Sequence, residues 1–322
     1  MPGAAVEGAV QAAGEGVPVV LVGDERALRA ELAARNAELP IRHADDVIAM
    51  NEHAADVRRR RGSSIMVAAR MVKDGEASAV VSMGHSGATM AAALLVLGRL
   101  PGVERPGILV NVPIKDGFVA LIDAGANADC RPSHLQRFAV MGSVFVRAMW
   151  GIEDPSVGLM SIGEEPHKGN DLVIKAHALL EDTRGIRFHG NVEGRDLFRG
   201  VTNVVVTDGF TGNVILKLAE GEARELFSWV RDALRADLRS RIGGLLVRPR
   251  LRAVAARLDP GEYGGQPLLG VDGHAFIGHG SADGREVASA LRVARRAVES
   301  GLLDSIRSGI AALGAAPEPA AR

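Results

Sequence analysis

"VVVTDGFTGNVILKLAEG", residues 204–221, changes periodicity within one turn. Val204–Thr207 is a short apolar run of strand character, and from Val214 onward apolar residues recur at helical spacing. Between them stand Asp208, Gly209, Phe210, Thr211, Gly212 and Asn213. This is a strand–turn–helix unit, and the same alternation recurs along the chain. Val17–Val22, Ala79–Ser82, Ile108–Val112, Val119–Asp123, Val157–Ile162 and Ile186–His189 read as strands. Glu25–Ala37, Ser64–Lys73, a segment through Ala91–Leu97 and Pro132–Trp150 read as helices, with Pro132 suited to a first turn. Lys115-Asp116-Gly117 reads as the turn joining two of the strands. Such alternation predicts an α/β fold whose mostly parallel sheet is covered on both faces. A ligand is then expected beyond the carboxyl ends of the strands.

The chain of 322 residues is 47% hydrophobic and 24% charged, enough for a substantial core. Aromatics are only 3%, which disfavours stacking on nucleic-acid bases, and a formal net charge of −1 disfavours a general polyanion binder. A single cysteine, Cys130, excludes an internal disulfide and a cysteine-only metal site. No apolar run reaches the roughly 18–20 residues that cross a bilayer, and no signal peptide opens the chain. A soluble cytoplasmic protein without nucleic-acid partners is expected.

Four strand ends carry glycine-rich polar turns: "SMGHSGA" (82–88), "DAGANADCRP" (123–132), "SIGEEPHKGN" (161–170) and "TDGFTGN" (207–213). Glycine lets backbone N–H groups converge and lets a ligand approach closely. A helix starting just afterwards favours an anion. Singly each is ordinary loop chemistry; four at one sheet edge predict a site. Lys168 suits a phosphate or a developing oxyanion, or a solvated pair with Glu164 or Glu165. Asp208 suits orienting a donor or accepting a proton, or an ordinary turn. Asn213 suits an oxyanion donor or a helix cap. His85 and His279, in glycine-rich turns, rank lower.

Metal and nucleophile chemistry find little support. No His-x3-His pair, Glu-x-x-His run or Gly-x-Ser-x-Gly elbow occurs, and "GHGSADG" (278–284) fails as a dinucleotide fingerprint because Asp283 replaces its third glycine. No metal and no cofactor is expected. Chemistry by binding and polarisation remains, with phosphate as the favoured guest.

In order, "RRGSSIMVAARMVKDGEASAVVSMGHSGA", "RPGILV", "DAGANADCRPSHLQRFAVMG", "IGEEPHKG", "FHGNVEGRDLF", "VVVTDGFTGNVILKLAEG" and "YGGQPLLGVDGHAFIGHGSA" make the chain resemble the PlsX family from about Glu7 to Gly301. These are phosphate acyltransferases of bacterial phospholipid synthesis. The resemblance implies a Rossmann-like three-layer α/β/α fold related to phosphotransacetylases and isocitrate-dehydrogenase-like enzymes, filling residues 1–313 as one catalytic domain, and a homodimer. It implies attack of inorganic phosphate on a fatty acyl thioester of acyl carrier protein, giving an acyl phosphate for a membrane glycerol-3-phosphate acyltransferase. Lys168 matches the family's lysine in "IGEE..KG", and Asn213 matches "DGF.GN"; with Asp208 and Glu165 they form the expected catalytic set. Gly84, His85, Ser86, Gly87, Asp123, Asn127, Gly209, Thr211, Gly212, His279 and Gly280 are the expected contacts to phosphate or acyl thioester.

Residues 238–259, "LRSRIGGLLVRPRLRAVAARLD", read as two short amphipathic helices broken near Arg248-Pro249. The resemblance makes this hairpin a membrane contact through Ile242, Leu245, Leu246, Leu251, Val254, Arg248 and Arg250, on the inner face of the cell membrane; a dimer-packing hairpin with solvated arginines is the alternative. "GAAPEPAAR" (314–322) has the composition of a disordered tail.

Two departures stand out. The family's opening strand and "DAMGGD.AP" turn are absent before "MPGAAVEGAVQAAGEG", through a start placed too late or a truncation; the intact later motifs favour the first. The usual "GNTGA" is "GHSGA" here, with Ser86 keeping the hydroxyl. Two alternatives accompany the main reading: a short-chain phosphotransacetylase using coenzyme A thioesters, and a catalytically impaired scaffold binding carrier protein or membrane.

Overall fold

Runs of buried Val, Leu and Ile too short for helices build the centre of the structure, and the helices between them cover it. The computed structural model describes residues 2–257 and 264–314. In chain order its elements are α1 (Pro2–Gly14), β1 (Leu21–Gly23), α2 (Glu25–Ala33), β2 (Ile41–His43), a short 3-10 helix (Ala54–Arg58), α3 (Ser64–Lys73), β3 (Ala79–Ser82), α4 (Ser86–Val96), β4 (Gly107–Ile114), β5 (Gly117–Ile122) and α5 (Pro132–Trp150). There follow β6 (Ser156–Met160), α6 (Asp171–Glu181), β7 (Arg187–Val192), α7 (Gly194–Arg199), β8 (Val204–Val206), α8 (Gly209–Ala233), α9 (Leu238–Arg257), β9 (Gln266–Leu269), β10 (His274–Ile277), α10 (Gly284–Glu299) and α11 (Leu302–Gly314).

The main sheet has eight strands in the order β3-β10-β9-β4-β5-β8-β6-β7, beside a separate parallel pair β1-β2. Neighbours β3/β10, β5/β8, β8/β6 and β6/β7 are parallel. β10/β9, β9/β4 and β4/β5 are antiparallel. The α/β class and the predominance of parallel pairing agree with expectation.

Alternate residues of the central strands feed two cores. Ala120 and Ile122 of β5, with Val204 and Val206 of β8, pack with Phe138, Met141 and Phe145 of α5. Leu121 and Val205 point the other way, toward Leu197 of α7 and Ile215 of α8. A period of two in both strands therefore needs helices on both faces.

Strand direction corrects one expectation. β3 and β10 run opposite to β5, β8 and β6, because the antiparallel steps through β9 and β4 reverse them. The turns after β5, β6 and β8 share one sheet edge, whereas those after β3 and β10 leave at the other.

Two helices differ from the sequence reading. Residues 2–14 form α1, whose Val6, Ala9 and Ala12 are buried. It crosses α10 so closely that a Cβ on Gly8 would stand 2.4 Å from the Gly284 carbonyl oxygen. The expected break at Pro249 is also absent, since α9 runs unbroken from Leu238 to Arg257. Leu and Arg on both sides, and Ala after the proline, are good helix formers and sustain the helix through the missing N–H. Leu258 and Asp259 of the expected hairpin, and the tail after Gly314, lie outside the described residues.

Candidate active site

β5, β8 and β6 are neighbours, so their carboxyl-end loops meet at one edge of the sheet. The β5 loop is organised from inside by Asp123, a fully buried carboxylate. Its Oδ1 accepts from the backbone N–H groups of Ile108 (3.0 Å), Gly125 (3.1 Å) and Ala126 (2.9 Å). Its Oδ2 accepts from the backbone N–H and the side-chain amide of Asn127, both at 2.8 Å. Burial raises the Asp123 pKa, against the opposing pull of these donors. The Asn127 amide also donates to the Pro106 carbonyl at 2.7 Å. These two expected substrate contacts are instead internal struts of the turn, and an inward-facing carboxylate offers a phosphate no attraction.

The β8 loop docks on that turn. Asp208 caps α8, accepting at Oδ1 from Thr211 N–H (2.9 Å) and at Oδ2 from the Thr211 hydroxyl (2.8 Å). Gly209 N–H donates to the Asn127 carbonyl at 2.8 Å. The N–H groups of Gly209 and Thr211 are thus already bonded and do not await an incoming oxygen. A Cβ on Gly209 would lie 2.6 Å from the Asn127 carbonyl oxygen and 2.7 Å from Asp123 Oδ2. The expectation that the glycines of this turn admit a ligand is corrected: Gly209 and Gly212 admit the Asp123 loop. Asn213 remains exposed, its side chain 3.6–3.7 Å from the Cβ position of Gly125.

The β6 loop carries Lys168, which is exposed and forms an ion pair with neither Glu164 nor Glu165. Its stem lies over Gly163, where a Cβ would stand 2.9 Å from Lys168 Cγ and 3.0 Å from Glu165 Oε2. Gly169 follows with φ of 113°, a left-handed value that turns the chain into α6. Asn170 caps that helix, accepting from Val173 N–H at 3.0 Å. The Ser161 hydroxyl donates to the Lys168 carbonyl (3.1 Å), and Lys168 N–H donates to the Glu165 carbonyl (3.0 Å). Sequence reasoning missed Asn191, a buried residue of β7 whose amide donates to that same Glu165 carbonyl at 2.8 Å. Its only sequence signal was a place inside the "FHGNVEGRDLF" block.

At the opposite edge, His85 caps α4: Nδ1 accepts from Ala88 N–H at 3.2 Å, so Nε2 carries the proton and donates to the Glu52 carbonyl at 3.0 Å. Both ring nitrogens are occupied, which places His85 in the scaffold of its turn. Ser86 is exposed, while Gly84 and Gly87 are half-buried. A Cβ on Gly87 would touch Ala54 at 3.0 Å. His279 is exposed, with Nδ1 2.6 Å from the Ser281 hydroxyl, and Gly280 beside it is exposed as well. No hydrogen bond or ion pair joins either turn to the Lys168 loop among the described residues.

Burial, and then the Asp123 charge, push the Cys130 thiol up to about 11, so it is no ready nucleophile. No group of three or more His, Cys, Asp or Glu suited to a metal occurs among the described residues. The exposed side chains at the β6 and β8 ends include the Lys168 ammonium and the Asn213 amide, donors suited to an anionic or polarised oxygen, beside the exposed Glu164, Glu165 and His167 of the same β6 loop. Ile162 and Phe210 flank them, 80% and 66% exposed.

A family model described as "Fatty acid synthesis protein" matches residues 1–304. A phosphate acyltransferase of Thermus thermophilus is 58% identical over 312 residues, covering 97% of this chain and 95% of the relative. One of Pelotomaculum thermopropionicum is 49% identical over 309 residues, with 95% and 90% covered. Among solved structures, EutD phosphotransacetylase of Staphylococcus aureus superposes with a TM-score of 0.59 at 17% identity, covering 90% of this chain and 89% of its own. A phosphotransacetylase of Streptococcus pyogenes gives 0.58 at 15%, covering 90% and 91%. The last two show a shared fold.

Proposed function

The chain belongs to the PlsX family, an acyltransferase family of phosphate acyltransferases, and we propose that its donor is a fatty acyl group carried on acyl carrier protein. A phosphate oxygen attacks the thioester carbonyl, the C–O bond forms, the C–S bond breaks, and the departing thiolate takes up a proton as free carrier. The acyl phosphate then passes to a membrane glycerol-3-phosphate acyltransferase, toward phosphatidic acid and phospholipid. Phosphate is itself the nucleophile, so positioning and oxyanion stabilisation are the tasks left to the protein.

The observation that carries this reading is Lys168: an exposed ammonium in no ion pair among the described residues, held by a loop whose backbone is bonded at several points. Lys168 holds phosphate or the developing oxyanion, and Asn213 supplies a second donor from the adjoining loop. Asp208 and Glu165 act at one remove, Asp208 by fixing the first turn of α8. Ser86, Gly84, Gly87, His279 and Gly280 belong to the opposite wall. Sheets twist by roughly 20–25° per strand, so over the five strand steps from β3 to β8 the two sets of turns need not face in opposite directions.

Delivery of a lipophilic product suits α9. Ile242, Leu245, Leu246 and Val254 are exposed on it with Arg248 and Arg250, and Leu251 is half-buried. In the unbroken helix Leu251 and Val254 fall on the face opposite Ile242, Leu245 and Leu246, so no single apolar stripe runs its length. Contact with an anionic membrane surface falls to the half that carries Ile242, Leu245 and Leu246, and no described helix is long and apolar enough to cross a membrane. The exposed Leu218, Leu226 and Trp229 of α8 suit packing against a second copy of the chain.

The test is to mix the protein with a palmitoyl thioester of acyl carrier protein and inorganic phosphate, assaying free carrier thiol and acyl phosphate together. Phosphate-dependent release of both, lost in Lys168→Ala, is the expected result. Preference for a short coenzyme A thioester would replace the fatty donor, and no turnover by folded protein would leave a scaffold.

A further inference from the structure

Lys168 sits on the loop of residues 161–170 between β6 and α6, and a loop of that length does not aim an ammonium by itself. Two groups meet on the Glu165 carbonyl oxygen: Lys168 N–H at 3.0 Å and the Asn191 amide at 2.8 Å. A carbonyl only accepts, so the Asn191 nitrogen must face it and Asn191 Oδ1 must face away. That oxygen lies 2.9 Å from His177 Nδ1, which therefore carries a proton and donates. Asn191 and His177 are both buried, at 4% and 6% exposure. His177 is held in turn edge-to-face on Phe188, ring centroids 5.2 Å apart.

We propose that Asn191, oriented by His177, is a positioning residue that fixes Lys168 for phosphate, an inference that rests on the reading of Lys168 given above. The relay runs from α6 through β7 to the loop, so the catalytic lysine is referenced to the sheet. The chemistry explains the residue types. Aspartate at 191 would turn an oxygen toward the Glu165 carbonyl, and an apolar residue would leave that buried face without a donor. A side-chain amide satisfies a carbonyl on one side and an N–H on the other.

Asn191→Asp keeps the shape and the acceptor for His177 but removes the donor to the loop. Phosphate binding is read by equilibrium dialysis with labelled inorganic phosphate in the wild type, Asn191→Asp, Lys168→Ala and the double variant. Turnover gives the KM for phosphate and for the acyl thioester separately. The expected result is phosphate affinity weakened about tenfold by Asn191→Asp, thioester KM changed less than twofold, and no further weakening on top of Lys168→Ala. Equal weakening in both backgrounds, or an unchanged phosphate KM, overturns the proposal. Lys168→Ala binding phosphate like the wild type would instead remove the underlying reading of Lys168. If circular dichroism shows Asn191→Asp unfolded, His177→Phe takes its place, since it keeps the packing on Phe188 and frees the far side of Asn191. A smaller rise in phosphate KM alone is then expected, and no change overturns the relay.

Discussion

A Cβ on Gly212 would stand 1.9 Å from the carbonyl oxygen of Asp123. The first turn of α8 is therefore seated on the backbone of the β5 loop, and the seat has no room for one methyl group. Gly212→Ala should destabilise the fold by roughly 3 kcal/mol, the upper range for overpacking a rigid site, as measured by urea unfolding. Gly221, further along α8, has nothing within 4 Å of its Cβ position. Gly221→Ala should be neutral or stabilise by about 0.5–1 kcal/mol. Equal effects of the two would contradict the seating.

Asp123 makes the second case. All its partners are donors: four backbone N–H groups and the Asn127 amide. In Asp123→Asn, whichever oxygen becomes NH2 confronts donors and leaves at least two of them unpaired. We expect a loss of about 2–4 kcal/mol, although the variant also removes a buried charge. Acyl phosphate formation should fall with it, because Asn213 and the β8 loop rest on this turn. A variant as stable as the wild type would show the carboxylate to be dispensable there.

Local rules carried the sequence reading a long way. Ser64–Lys73, Ala79–Ser82 and Pro132–Trp150 have the bounds that periodicity and a first-turn proline assign them. What was not legible depends on partners distant in the chain. The direction of β3 is set by pairing with β10, some 195 residues later (Ala79 with His274, 274 − 79), and this sends the His85 turn to the other edge. α1 becomes a helix against α10, where Gly8 and Gly284 cross. Asn191 reaches the Lys168 loop across 26 residues, and no pattern within β7 marks it out. The glycines of "TDGFTGN" are points of close approach, as the sequence implies, but what approaches is protein.

Cys130 titrates late. Its thiol is pushed up to about 11 by burial and by Asp123, against about 8.5 for a free cysteine. The thiolate is the reactive form, so iodoacetamide labelling of the folded protein should be slow at pH 8 and rise about tenfold per pH unit up to roughly pH 10. Cys130→Ser should keep acyl phosphate formation within about twofold, since no step uses the thiol. Labelling at pH 8 as fast as for a free thiol would mean the site is open.

α9 offers the last test. Leu245 and Leu246 are exposed at 67% and 78%, and Arg248 and Arg250 are exposed beside them. On vesicles with an anionic headgroup, each arginine near the surface adds about 1 kcal/mol of attraction, and the leucines add insertion of apolar area. Reversing Arg248 and Arg250 to Glu should weaken co-sedimentation with such vesicles by more than tenfold at low salt, and less as the Debye length shrinks. Leu245→Glu with Leu246→Glu should weaken it at every salt concentration, because the lost term is burial rather than charge. Neither pair lies in the β6 or β8 loops, so acyl phosphate formation from a soluble thioester should stay unchanged. If the leucine pair instead alters the oligomeric state in size-exclusion chromatography and leaves vesicle binding intact, α9 packs on a second copy of the chain.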